Sequence, residues 1–299
     1  MVPFTIEDYF LANKFVSVLI FLGGAVGVVG NLILFISIVR SQQLRSICAI
    51  LVAIQALAEV VYPASLFLFV YVAYTEALWT RRMCLWVQFV PLTAANISIM
   101  MMPVVALDRF ISLKAPIWYK RVNKRLFILC SLSVPVGYHI LCTYLGLLYT
   151  TEDLVVCRLP DGYTQMAVFF WVGSQVCISL VVLVLYFFVR HELKKLKIQS
   201  KDVSTATNKS LQVIFIVYVC GYALFGFING ASMFIQDFYL FAILGSISGA
   251  SALLNIMSPV FVFYRNSKLY RREIKSTLRF LLGRNEVKTI TVRTTSSIY

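Results

Sequence analysis

Charge is what this sequence has least of. Of 299 residues, 13% are charged and 60% hydrophobic, and only 13 are Asp or Glu. A water-soluble domain has about 25% charged and about 45–50% apolar residues, so too little polar surface is present to cover a globule, and the bilayer is the expected solvent. Histidine is nearly missing: there are two, His139 and His191, and neither has a second ligand at metal spacing. No His-Glu-x-x-His, Gly-x-Ser-x-Gly or Gly-x-x-x-x-Gly-Lys run occurs, so neither an enzyme nor a cofactor is expected. Internal repeats with paired broken helices are missing too, which argues against a transporter, and no re-entrant filter or ring of charge suggests a channel.

Long apolar runs are present instead. They extend approximately over residues Phe15–Val39, Ile47–Tyr74, Met83–Leu113, Leu126–Tyr149, Thr164–Val189, Leu211–Ile235 and Phe238–Phe263. Each exceeds the roughly 18 residues that mark a membrane helix, whereas barrel strands would show about ten-residue alternating segments. The last two runs are divided by Asp237, the single charge between Leu211 and Tyr264. The expected fold is an all-α membrane protein, a seven-transmembrane helix bundle. Its divisions are a short extracellular N-terminus (1–14), the bundle (15–264), an amphipathic membrane-surface helix (265–282) and a disordered cytoplasmic tail (283–299).

The net charge of +14 reports topology rather than nucleic-acid binding once it is distributed. Alternate loops and the C-terminal segment hold 22 of the 27 basic residues; the opposite side has Lys14, Arg81, Arg82 and Arg158, and Arg109 ends the third run. Basic residues stay on the cytoplasmic side, so the N-terminus is expected outside and the C-terminus inside the plasma membrane. Residues 1–14 make a poor cleavable signal, with Glu7 and Asp8 ahead of a long apolar run. Cys84 and Cys157 both fall on the oxidising side, where a disulfide between them is chemically allowed. Sequons at Asn96 and Asn208 lie in a span and on the inner side, so neither is expected to carry glycan.

Several polar residues interrupt the spans: Asn31, Glu59, Asp108 with Arg109, and Asn255. Such groups cost about 2.5–3.5 kcal/mol each on insertion scales, and so need partners or a task. After Tyr264, the residues Tyr270, Ile274, Leu278 and Leu281 recur at helical spacing among Arg271, Arg272, Lys275 and Arg279. This is a basic amphipathic helix suited to the membrane surface. The last residues, Ser297-Ile298-Tyr299, also suit strand addition to a PDZ groove.

Gly30-Asn31-Leu32-Ile33-Leu34, Leu57-Ala58-Glu59, Cys84 placed 25 residues before Arg109, Asp108-Arg109-Phe110 followed by Pro116 and Tyr119, and a late proline in the seventh run resemble rhodopsin-like G-protein-coupled receptors. Leu44-Arg45-Ser46 followed by Gln55-Ala56, with Leu107-Asp108-Arg109-Phe110 and short tails, resemble the nematode serpentine chemoreceptors of class SX. The resemblance implies a receptor that transduces an extracellular ligand, a small molecule or a peptide, into activation of a heterotrimeric G protein. A chemosensory role is the leading expectation, with a neuropeptide receptor of the same fold, or a membrane transporter, as the alternatives. Arrestin-like proteins and membrane lipid are the further partners it implies.

By that resemblance Asp108, Arg109, Phe110, Pro116 and Tyr119 form the coupling switch, Asp108 being Arg109's resting partner. A guanidinium suits the task because it stays charged when partly buried and offers five donors. Arg121, Arg125, Lys194, Lys195 and Lys197 face either the G protein or anionic lipid. Asn31, Glu59, Ser98, Asn255, Ser258 and Pro259 correspond to a polar coupling cluster in which related receptors hold sodium. The candidate ligand pocket comprises Pro91, Leu92, Ala95, Asn96, Phe170, Trp171, Gln175, Tyr222 and Phe225. Pro91 stands where amine receptors carry an aspartate, which disfavours an amine ligand. The outer acids, Asp161 among them, either receive a basic peptide or form a solvated rim, the rim being the leading expectation. The chain departs from the receptor pattern at Ser258-Pro259-Val260-Phe261-Val262, and the fifth and sixth runs have no proline.

Overall fold

The computed structural model describes residues 6–197, 213, 216–221, 224, 225, 227, 228 and 238–283. Asn208, Tyr222, Asp237, most of the sixth run and the tail from residue 284 lie outside the described residues, as do the side chains of Lys194 and Lys197.

Helix α1 runs Ile6–Arg40, so it starts well before the expected span and makes much of the expected N-terminal segment helical. At about 1.5 Å per residue its 35 residues exceed a bilayer core of about 30 Å. Lys14 ties the extension down through a 2.8 Å ion pair with Glu76. The second run is broken into α2 (Ile47–Val61) and α3 (Ala64–Thr75). Pro63 divides them, lacking an N–H and crowding the carbonyl four residues back. Ser46 caps α2 by accepting from the Ala49 N–H at 3.2 Å, and α3 ends on Glu76 at φ 53°.

A two-stranded antiparallel pair follows, β1 (Trp79–Thr80) and β2 (Leu154–Val155), with Trp79 opposite Val155. Between these strands come α4 (Arg81–Val87), α5 (Phe89–Lys114), α6 (Pro116–Arg121) and α7 (Lys124–Leu148). Asn123 caps α7 by accepting from the N–H groups of Arg125 and Leu126 at 3.0 and 3.3 Å. Then come α8 (Gln165–Lys197), α9 (Phe238–Asn266) and α10 (Lys268–Leu281). Among the described residues, six helices are long and apolar enough to cross a membrane, α2 and α3 counting as one.

Beside an apolar core, the bundle buries many polar side chains and exposes many large apolar ones. On α1, Asn13, Ser17, Asn31 and Ser37 are buried while Phe15, Leu19, Leu22 and Val29 are exposed. That inversion suits a lipid solvent, in which helix contacts rest on close packing and interhelical hydrogen bonds rather than on apolar burial. Glycine supplies the close packing: a Cβ at Gly27 would stand 2.5 Å from Ile256 Cγ2, and one at Gly30 2.7 Å from Val260 Cγ1. Helix α1 therefore lies against α9 at nearly backbone distance. Helix α10 packs beneath, with Tyr270 stacked on Phe263 at 4.3 Å and Thr277 accepting from Ser37 at 3.0 Å.

Candidate functional site

Three groups of polar side chains lie along α5, one at each end and one between. At its C-terminal end Asp108 is 1% exposed and is bound from two directions. Arg109 donates through Nε at 2.8 Å and Nη2 at 2.5 Å to Oδ2, and the Tyr119 hydroxyl of α6 donates to Oδ1 at 2.5 Å. Pro116, at the first position of α6, starts the turn that returns Tyr119 to this acid. Burial, and then its donation to Asp108, hold the Tyr119 phenol above its ordinary range, so it keeps its proton. Phe110 meets Phe188 of α8 at 5.9 Å between ring centres.

The middle group joins four helices, α1, α2, α5 and α9. Glu59 Oε1 accepts from Gln55 Nε2 at 2.9 Å and from Ser98 Oγ at 3.0 Å. Asn31 donates to the Gly27 carbonyl at 3.0 Å and across to the Ile256 carbonyl of α9 at 2.7 Å. Asn31 Oδ1 and Glu59 Oε2 are buried with no hydrogen-bond partner. Both residues line a cavity of about 10 Å³ with Gln55, Pro259 and apolar side chains. That is about the room one water needs. Two oxygens without donors suit a bridging water, which can give a hydrogen to each; they are too few to hold a hard cation, which takes about six oxygens.

Asn255 and Ser258 are not among the residues lining that cavity. Asn255 faces Gly221, whose added Cβ would stand 2.6 Å from Asn255 Oδ1, and the Ser258 hydroxyl turns back to the Asn255 carbonyl at 3.5 Å. Gln55 is the member that reasoning from the sequence left out of the cluster. Its place four residues before Glu59, on one helix face, was the available signal.

At the other end of α5 the Cys84–Cys157 disulfide is formed. The segment after α7 is fastened over the bundle by more than this bond. Arg81 donates to the carbonyls of Asp161 and Tyr163 at 3.0 and 2.6 Å, and Gln88 Nε2 to the Cys157 carbonyl at 3.1 Å. Arg158 grips Asp161 in a fork of 2.7 and 2.9 Å and reaches Ser246 of α9 at 3.4 Å. The expectation of a solvated acidic rim is therefore corrected at Asp161, whose side chain is 16% exposed. Asp161 is held inward because its carboxylate fits the guanidinium fork.

Beneath this cover the candidate pocket residues divide. Pro91, Leu92, Ala95, Asn96, Trp171 and Gln175 are buried, and Trp171 meets Phe225 edge to face at 6.3 Å. Phe170 is exposed at 37% and turns away from the buried face that Trp171 and Gln175 share. Both polar atoms of the Gln175 amide are buried without a partner.

Residues 24–278 match the family described as "Serpentine type 7TM GPCR chemoreceptor Srsx". The chain belongs to this family. No curated protein matches it. The Srsx chain is thus a multi-pass membrane receptor of the G-protein-coupled kind, and its family is one of receptors rather than enzymes. An extracellular ligand and a G protein are the general partners of such a receptor.

Proposed function

We propose that this Srsx chain is a plasma-membrane chemosensory receptor in which an outside ligand, bound beneath the disulfide-fastened cover, releases Arg109 for a G protein at the inner face. The observation that carries the reading is the clamp on Asp108. A buried carboxylate holds Arg109 at 2.5 Å and is itself held by Tyr119 from a neighbouring helix. An arginine so held is charged and still 15% exposed in its side chain, so a rearrangement that breaks the clamp delivers five donors to a docking partner.

The charge distribution supports an inside C-terminus, which places Arg109, α6 and α10 at the cytoplasmic surface. There the basic α10 lies on anionic lipid, and Arg121, Arg125 and Lys195 contribute to G protein or arrestin contact. The middle group on Glu59 links the outer pocket to this switch through Ser98 on the same helix, α5. In this reading residues 1–14 face outside, 265–282 lie on the membrane and 283–299 form the tail.

The test is nucleotide exchange on a G protein, evoked in reconstituted membranes by a screen of volatile odorants, water-soluble metabolites and peptides. Exchange is lost on Arg109→Ala with surface expression intact. A surface-expressed Arg109→Ala variant that signals at wild-type level overturns the mechanism. A response confined to peptides favours the neuropeptide role over the chemosensory one.

A further inference from the structure

His139 lies outside the switch and outside the Glu59 group, yet it is built into the candidate pocket through a chain of directed hydrogen bonds. Trp171 Nε1 of α8 donates to Asn96 Oδ1 of α5 at 2.9 Å. An indole nitrogen can only donate, so the Asn96 atom facing it is the oxygen and its NH2 points elsewhere. That NH2 stands 3.3 Å from His139 Nδ1 of α7, which must therefore accept. The proton of the neutral ring then sits on Nε2, 3.0 Å from Thr93 Oγ1, and the Thr93 hydroxyl donates in turn to the Phe89 carbonyl at 2.7 Å. Every link has one donor and one acceptor, and the tautomer of His139 is fixed by its partners.

A proton added to Nδ1 breaks that order. The ring nitrogen then presents a hydrogen to the hydrogens of Asn96 Nδ2. Turning the amide over to meet it sets that NH2 against the indole N–H instead. Either way one buried bond is lost, and Asn96, which is 0% exposed, cannot replace it with bulk water.

The side chains hydrogen-bonded to the ring carry no charge. Phe89, Thr93 and Asn96 face it from α5 and Thr143 from its own helix, and none of these ionises. The neighbouring Tyr138 is engaged with Ser174 of α8 at 2.7 Å, and Cys142 is buried in the apolar cluster with Leu85 and Trp171. Phe89 begins α5, and Thr93 follows one turn later, about 6 Å along the axis. The imidazole is thus level with the first turns of α5 at the disulfide end.

We propose that His139 Nδ1 is a proton-binding site, and that proton uptake there unlocks Asn96 and Trp171 and so reshapes the pocket. That this pocket receives the ligand, and that it faces outside, rests on the receptor reading. The chemistry makes the receptor's response depend on outside acidity, whichever ligand it takes.

The experiment uses the full chain in lipid nanodiscs carrying His191→Asn, which removes the other, exposed imidazole. Nitrogen-labelled histidine and tryptophan are followed by NMR from about pH 8 to about pH 5, the range in which imidazole changes charge. The neutral ring is expected to carry its proton on Nε2, and the Trp171 indole signal, assigned by Trp171→Phe, to move with the same midpoint while those of Trp79, Trp86 and Trp118 stay. Asn96→Asp supplies an acceptor to both neighbours, so the midpoint rises by about one unit or more while Trp171 no longer moves. A proton on Nδ1 of the neutral ring, a ring that titrates without moving Trp171, or no titration across the range each overturns the proposal. Absence of ligand-evoked nucleotide exchange in the otherwise unchanged chain, with this titration intact, would instead overturn the receptor reading alone.

Discussion

The Tyr119 hydroxyl stands 2.5 Å from Asp108 Oδ1 while Arg109 occupies Oδ2 of the same carboxylate. The acid thus has one oxygen committed to each neighbour, and removing either loosens the other's anchor. A hydrogen bond to a charged group contributes about 1.5–3 kcal/mol, and solvent reaches part of this one, so Tyr119→Phe is expected to weaken the clamp by about 1 kcal/mol. That corresponds to roughly fivefold higher basal nucleotide exchange in membranes of matched receptor density. Basal exchange equal to the wild type would mean that the clamp does not hold the resting state.

The same phenol sets a pH expectation. Burial and donation to Asp108 hold its folded pKa above the unfolded value of about 10. A raised pKa here favours the protonated folded state. Its stabilisation is fully present below about pH 10 and is lost only as pH climbs through the raised value. Absorbance titration of wild type against Tyr119→Phe should therefore show one phenol that ionises later than a free tyrosine. A difference titration centred at the ordinary tyrosine value would contradict the observed hydrogen bond.

Cys84 and Cys157 are 73 residues apart in sequence and close a large loop. Cross-links of this kind contribute about 2–4 kcal/mol in the chain-entropy account. Arg81, Gln88 and Arg158 also fasten the same segment, so Cys84→Ser should lower the unfolding temperature and ligand response without abolishing surface expression. Combining it with Arg81→Ala should abolish expression. Equal thermal stability of Cys84→Ser and wild type, by tryptophan fluorescence in nanodiscs, would count against this division of labour.

Gly27 sets how closely α1 approaches α9. A side chain there meets Ile256 Cγ2 at 2.5 Å from the Cβ alone. Gly27→Val forces the helices apart at a cost of about 1–3 kcal/mol, and moves the Ile256 carbonyl away from Asn31. Adding Ile256→Ala should recover part of the loss, because the clash is with that side chain. A double variant no more stable than Gly27→Val would place the strain elsewhere.

Much of the fold was legible because membrane helices are specified by local composition. The ends of α7 and α9 fall within a few residues of the apolar runs, since the bilayer requires each backbone N–H to bond inside its own helix. The start of α1 was not legible that way: Ile6–Lys14 is polar enough to read as a tail, and its helical state is fixed by contacts such as Lys14 with Glu76. The break at Pro63 had a local signal, but the apolar run continues through it. In the candidate site, Asp108 and Arg109 were readable as sequence neighbours, and Ser98 through the receptor resemblance, by its place eleven residues before Arg109. Asn255 carried the same kind of polar signal, yet its amide turns to Gly221.

The sequence by itself determined the solvent, the number of apolar runs, the gathering of basic residues in alternate loops and the adjacency of acid and arginine, because these depend on composition and on spacing along the chain. Tertiary structure decided which polar groups meet: the fork of Arg158 on Asp161 and its reach to Ser246, the Gln55 and Ser98 donors on Glu59, and the chain from Trp171 through Asn96 to His139. Those partners come from helices dozens of residues apart, brought together by close contacts such as that of Gly27 with Ile256. A hydrogen bond exists only when donor and acceptor arrive within about 3 Å of one another, and no pattern along a single helix fixes that distance.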